Sequence, residues 1–145
     1  MKSAVPRLIL LVIACVFPFF AHSQIVEISK WGPSDRPFKL ELIVSSDSID
    51  SYNVGGLRYL SITKQDFRTV VSVLDSLNVP ELMLADVSKV QQPGAYSIVV
   101  VSELGLKEYY LSDSKSANSF FIALTKQMNG IEPKAVFKAI SINSR

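Results

Sequence analysis

Twice in this chain a run of alternating apolar and polar residues gives way to apolar residues at helical spacing. Leu57 to Ile62 reads as a strand, and Phe67, Val70, Val71, Leu74 and Leu77 follow at the three- and four-residue intervals of a helix face. Leu106 to Leu111 reads as a second such strand, followed by Ala117, Phe120, Phe121, Leu124 and Met128. A segment with period 2 can bury only one side of a sheet, and one with period 3.6 only one stripe of a helix. Chains of this kind stack helices on a sheet. The spacing predicts an α+β fold in a single domain. It comprises a mainly antiparallel sheet of about five strands, two main helices on one face and a short C-terminal helix.

The other strands follow from the same rule. Phe38, Leu40, Leu42 and Val44 alternate with Lys39, Glu41, Ile43 and Ser45, the clearest half-buried strand in the chain. Ile25 to Lys30 is a shorter one. Ala95 to Ser102 contains the unbroken run Ile98-Val99-Val100-Val101, which indicates burial on both faces or a central place in the sheet.

Breakers and caps set the limits. Thr63 is placed to cap the first helix and Asp66 stands three residues on, close to a capping box, while Pro80 ends the helix by about Asn78. Asp113 caps the second, Asn129-Gly130 stops it, and Pro133 suits the first turn of a last helix through Ile140. The two caps lie 50 residues apart, and Phe67/Ala117, Val70/Phe120, Val71/Phe121, Leu74/Leu124 and Tyr59/Tyr109 repeat at that offset. Tandem ββα units would give this pattern, and so would any two amphipathic units of like build.

The N-terminus has a different character. Met1-Lys2 and Arg7 precede an apolar run of 14 residues, Leu8 to Ala21, and Ala21-His22-Ser23 puts small residues where a signal peptidase requires them. That is the layout of a secretory leader. Pro18 interrupts the run, which falls short of the ~20 apolar residues of a spanning helix. Residues 1–23 are therefore expected to be a signal peptide cleaved after Ser23, and residues 24–145 a periplasmic or secreted domain. A second reading takes Val12-Ile13-Ala14-Cys15 as a lipobox, with Cys15 lipidated and the protein membrane-anchored. The apolar residues that follow Cys15, in place of a polar tether, weigh against it.

Cleavage has chemical consequences. The single Cys and the single His, Cys15 and His22, both lie in the leader, so the remaining 122 residues contain neither. Disulfides, thiolate or imidazole metal sites, cysteine nucleophiles and Ser-His-Asp triads are excluded from that part. No cofactor is expected. Lys2 and Arg7 also belong to the leader, which leaves 13 basic against 13 acidic residues and no basic run to draw nucleic acid.

The catalytic alternatives are thin. Ser61-Ile62-Thr63-Lys64 and Ser112-Asp113-Ser114-Lys115 share the Ser-x-x-Lys spacing, which works when it spans one helical turn, but both serines fall before the expected helices. Glu41, Glu103 and Glu108 are available carboxylates on or beside strands, and no spacing selects a pair. Asp47 and Asp50 among serines make an oxygen-rich loop without the alternate acids and closing Glu of a calcium loop.

Aromatic placement points to binding. Tyr109 and Tyr110 are adjacent in a strand, so one faces the core and the other the open face. Trp31 sits in a Pro/Gly turn. Tyr52 lies with Asp47 and Asp50 in the stretch Ser46 to Gly56, 11 residues long and unusually so for a hairpin loop. On that reading Trp31 and Tyr52 flank opposite ends of one strand. The candidate contact residues are Asp47, Asp50, Tyr52, Trp31, Tyr109 and Tyr110. The expected function is an exported, non-catalytic binding or protein-interaction domain of a bacterial envelope, whose partner is an unidentified protein or envelope polymer. The alternatives are an accessory subunit of an envelope assembly and a small His/Cys-free hydrolase using carboxylates or Ser/Lys.

Overall fold

In the computed structural model, six strands among the described residues form one sheet in the order β3-β4-β2-β1-β5-β6; one described helix lies between β4 and β5 and two follow β6. The structure describes residues 24–30, 38–45, 53–54, 57–82 and 94–143. The strands are β1 (Ile25–Lys30), β2 (Phe38–Val44), the two-residue β3 (Asn53–Val54), β4 (Leu57–Ile62), β5 (Tyr96–Ser102) and β6 (Gly105–Leu111). The helices are α1 (Lys64–Ser76), α2 (Ser114–Gln127) and α3 (Ile131–Asn143). The α+β class, the single mainly antiparallel sheet and the helices on one face agree with the reading of the periodicity.

Local chemistry fixes the helix ends. Thr63 Oγ1 accepts from the Asp66 N–H at 3.0 Å, and Asp113 Oδ1 accepts from the Ser116 N–H at 2.8 Å, so both expected caps are in use. Helix α1 stops two residues sooner than Pro80 alone implies. Asn78 adopts φ 49°, and the Asn78 and Val79 N–H groups bond back to Asp75 O and Leu74 O. This is a Schellman stop, in which asparagine takes the left-handed position that usually falls to glycine.

All three helices pack on the same side of the sheet. Val26 and Ile28 of β1, Leu40 and Leu42 of β2, Leu60 and Ile62 of β4, and Ile98 and Val100 of β5 join one core with residues from α1, α2 and α3. Its centre is aromatic. Phe121 meets Tyr96 and Phe120 edge-on at 5.1 and 5.4 Å and stacks on Phe137 at 6.0 Å.

Val99 and Val101 are only half-buried and β5 lies between β1 and β6, so of the two readings of its apolar run the central place in the sheet holds. One expectation changes, that for Ser46 to Gly56. Strand β2 pairs parallel with β4, Lys39 opposite Leu57 and Val44 opposite Ile62. A hairpin loop cannot join parallel neighbours, so this connection carries the chain back along the full length of β2. Its length, long for a hairpin, is short for a crossover.

The 50-residue offset holds for the caps and fails for the strands. Leu60 and Ile62 face the core in β4, whereas Tyr109 and Leu111 do so in β6. Tyr59 and Tyr109 therefore point to opposite faces. Ser112 intervenes between β6 and its cap, while β4 runs directly into Thr63, and that one-residue slip reverses every side chain of a strand.

Candidate functional site

Opposite the helices, the sheet carries no other described element, and the strand register arranges its residues in rows. Across β4, β2, β1, β5 and β6 the central row is Tyr59, Glu41, Glu27, Val99 and Glu108. One flanking row is Ser61, Ile43, Ile25, Val101 and Leu106. The other is Leu57, Lys39, Ser29, Ser97 and Tyr110. The face is thus an apolar stripe, a carboxylate stripe and a hydroxyl-rich stripe, side by side.

Glu27 and Glu41 stand directly opposite each other, a repulsive arrangement in a sheet. Lys39 resolves it by contacting Glu27 at 2.8 Å and Glu41 at 3.4 Å. The hydrogen bond to Glu27, reinforced by the charges of both carboxylates, holds the Lys39 ammonium above its ordinary value despite partial desolvation. Ser29 donates to Glu27 at 3.3 Å, and Ser97 donates to Glu108 at 2.6 Å. The outer edge of β6 is not bare. Leu82 N–H bonds to Glu108 O, and Tyr110 N–H bonds to Pro80 O.

Among the described residues, the carboxylates and Ser-x-x-Lys pairs singled out in the sequence are not brought together. Glu41 and Glu108 share the face but lie on β2 and β6, with β1 and β5 between them. Three strand spacings are roughly 14 Å, beyond the ~5–9.5 Å between carboxyl groups in glycosidases. Glu27 and Glu41 are close but both bound to Lys39 on a flat surface. The serine–lysine pairs do not form a helical turn either. Ser61 ends in β4 while Lys64 opens α1, and the Ser112 hydroxyl donates to Asp113 at 3.2 Å. Among the described residues no group of three or more acidic, Cys or His side chains converges to hold a metal ion, and no helix is long and apolar enough to cross a membrane.

A second region lies on the helix side. A groove of about 670 Å³ runs between α1 and the β5–β6 hairpin. Phe67, Val71, Val100 and Tyr109 give it an apolar floor; Arg68 and Asp75 line the α1 wall and Glu103 and Lys107 the hairpin wall. Burial pushes the Tyr109 hydroxyl above its usual range, partly offset by Lys107. A smaller groove of about 440 Å³ borders the start of α2 and contains Asp113. There the Ser116 N–H, foremost, holds the Asp113 carboxyl below its ordinary value, so a carboxylate already caps that helix.

Of the residues expected to contact a partner, Tyr109 and Tyr110 divide as the alternation requires. Tyr109 is buried against the core with its edge in the groove, and Tyr110 is half-buried on the open face. Trp31, Asp47, Asp50 and Tyr52 lie outside the described residues, as do Cys15, His22 and the rest of the leader. Their described neighbours are informative. Lys30 pairs with Phe38, and Asn53 and Val54 pair with Arg58 and Leu57, next to Lys39. The residues that follow Tyr52 and precede Trp31 thus lie at one end of the sheet, not at opposite ends. The parallel crossover is the reason.

One polar anchor was not foreseen. Asp66 is 1% exposed; its Oδ2 accepts from the Thr63 hydroxyl at 2.9 Å and its Oδ1 from the Asn129 N–H at 2.9 Å. It ties the start of α1 to the α2–α3 turn, 63 residues away. The near capping box marked the residue, but the tertiary partner left no local signal. No family model, curated protein or solved structure matches this chain.

Proposed function

We propose that this chain is an exported, non-catalytic binding or protein-interaction domain of a bacterial envelope. In this reading residues 1–23 direct export and are cleaved after Ser23, and residues 24–145 form the working domain. The observation that carries it is the banded open face. A sheet whose described helices all lie on one side, with rows of Ile25 and Ile43, of Glu27, Glu41 and Glu108, and of Ser29 and Lys39 on the other, offers both apolar area and directed hydrogen-bonding groups. Such a mixed, flat surface suits a protein or an extended polymer better than a small molecule, which requires a concave pocket. Balanced charge gives no pull toward nucleic acid, and contact with a membrane requires lipidation at Cys15. No cofactor enters this reading.

Affinity capture from the native envelope, with wild type and with an E41K/E108K variant, tests it. Partners recovered by the wild type and lost from the variant support the open face. Equal recovery by both would move the binding surface to the Asp47–Tyr52 stretch. Intact mass of the exported form checks the leader, since cleavage before Gln24 and lipidation at Cys15 give different masses. If the partner co-purifies as a fixed complex, the chain is an accessory subunit of that assembly.

A further inference from the structure

We propose that the groove between α1 and the β5–β6 hairpin, together with the tip of that hairpin, is a self-complementary interface through which two copies of this chain pair about a two-fold axis. It is distinct from the open sheet face and goes beyond the binding role argued above.

The hairpin tip presents Leu104 at 98% exposure. Leu104 touches almost nothing of its own chain, and the turn does not require a leucine there, because the left-handed residue is Gly105 with φ 114°. Beside this knob lies a hole with the apolar floor Phe67, Val71 and Tyr109. Knob and hole belong to the same patch, which is the condition for an isologous contact: a two-fold axis places each Leu104 in the other copy's groove.

The charges fit the same operation. Arg68 on the helix wall and Glu103 on the hairpin wall are both exposed, and neither has a hydrogen-bonding or ionic side-chain partner among the described residues. In a two-fold pair Glu103 of each copy meets Arg68 of the other, and the contact occurs twice. A patch carrying both signs, apolar at its centre, is complementary to its own rotated image. A uniformly acidic or basic partner would meet like charge on one wall.

Sedimentation equilibrium of the full chain, as its expressing cell delivers it, tests the pairing. Wild type is expected to form dimers and L104D to remain monomeric, with the circular-dichroism spectrum of the folded wild type. E103R alone and R68E alone each set like charges against each other twice and should weaken association at least tenfold. An equimolar mixture of the two variants should associate again, because both contacts in the mixed pair are then between opposite charges. A wild type monomeric up to about 1 mM, the weak end of specific association, would overturn the proposal. So would an L104D variant that dimerises like wild type, or a mixture as weak as its components.

Discussion

On the covered face of the sheet, Val26, Ile28, Leu40 and Leu42 are fully buried; on the other, Glu27, Ser29, Lys39 and Glu41 hold one another through hydrogen bonds and ion pairs. These are alternate residues of the same two strands. One face gains stability from removing apolar area from water, and the contribution grows with every methylene packed. The other sits in high dielectric, where each ion pair contributes at most about 1 kcal/mol. The covered face therefore carries the fold, and the open face can change its residues at little cost in stability.

Neighbouring valines of β5 give the sharpest way to break this comparison. Val100→Asp places a charge against the helices and should cost more than about 4 kcal/mol, enough to unfold a small domain. Val99→Lys, one residue away on the open face and between Glu27 and Glu108, should cost about 1 kcal/mol or less. Chemical denaturation of both variants measures the difference, and similar losses would mean that the open face is covered as well.

Next comes the aromatic centre. Phe121 is fully buried and contacts Tyr96, Phe120 and Phe137. Phe121→Ala should lower unfolding free energy by about 3–5 kcal/mol, seen as a large drop in denaturation midpoint. A polar group on the same side should matter less. Asp66→Ala leaves the Asn129 N–H without its acceptor and removes the link between α1 and the α2–α3 turn. The expected loss is about 1–3 kcal/mol. Hydrogen exchange at Asn129 should rise in this variant while exchange in β1 stays slow; unchanged exchange at Asn129 would contradict the tether.

The smallest effect belongs to the open face. Lys39→Met leaves Glu27 and Glu41 facing each other, and at neutral pH it should cost less than about 1 kcal/mol. The sign of its pH dependence is fixed. The folded ammonium titrates above its ordinary value of 10.5, so its contribution is fully present below that pH and disappears as pH rises through the folded value. Wild type and Lys39→Met should therefore converge in stability at strongly alkaline pH. A gap that widens there would mean that Lys39 acts through something other than its two carboxylates.

Much of this architecture is written in single residues. Alternation in Phe38 to Val44 and helical spacing in Phe67 to Leu77 required strands and helices, because the two periods expose different faces to the core. Thr63, Asp113 and Pro133 marked helix starts because capping depends on residues three or four positions away. Such features are legible because the interactions behind them are local in the chain. The adjacency of Tyr109 and Tyr110 likewise required opposite faces before any fold was known.

Pairing between distant segments is another matter. The parallel match of β2 with β4 places Asn53 at the same end of the sheet as Lys30, and no residue in Ser46 to Gly56 announces it. Asp66 meets Asn129 across 63 residues, and the three carboxylates share a row only because of strand register and order. Local sequence sets how each segment presents its faces. Which faces meet is decided by the simultaneous burial of all of them, a property of the assembled chain, and that is why the banded face and the groove became visible only in three dimensions.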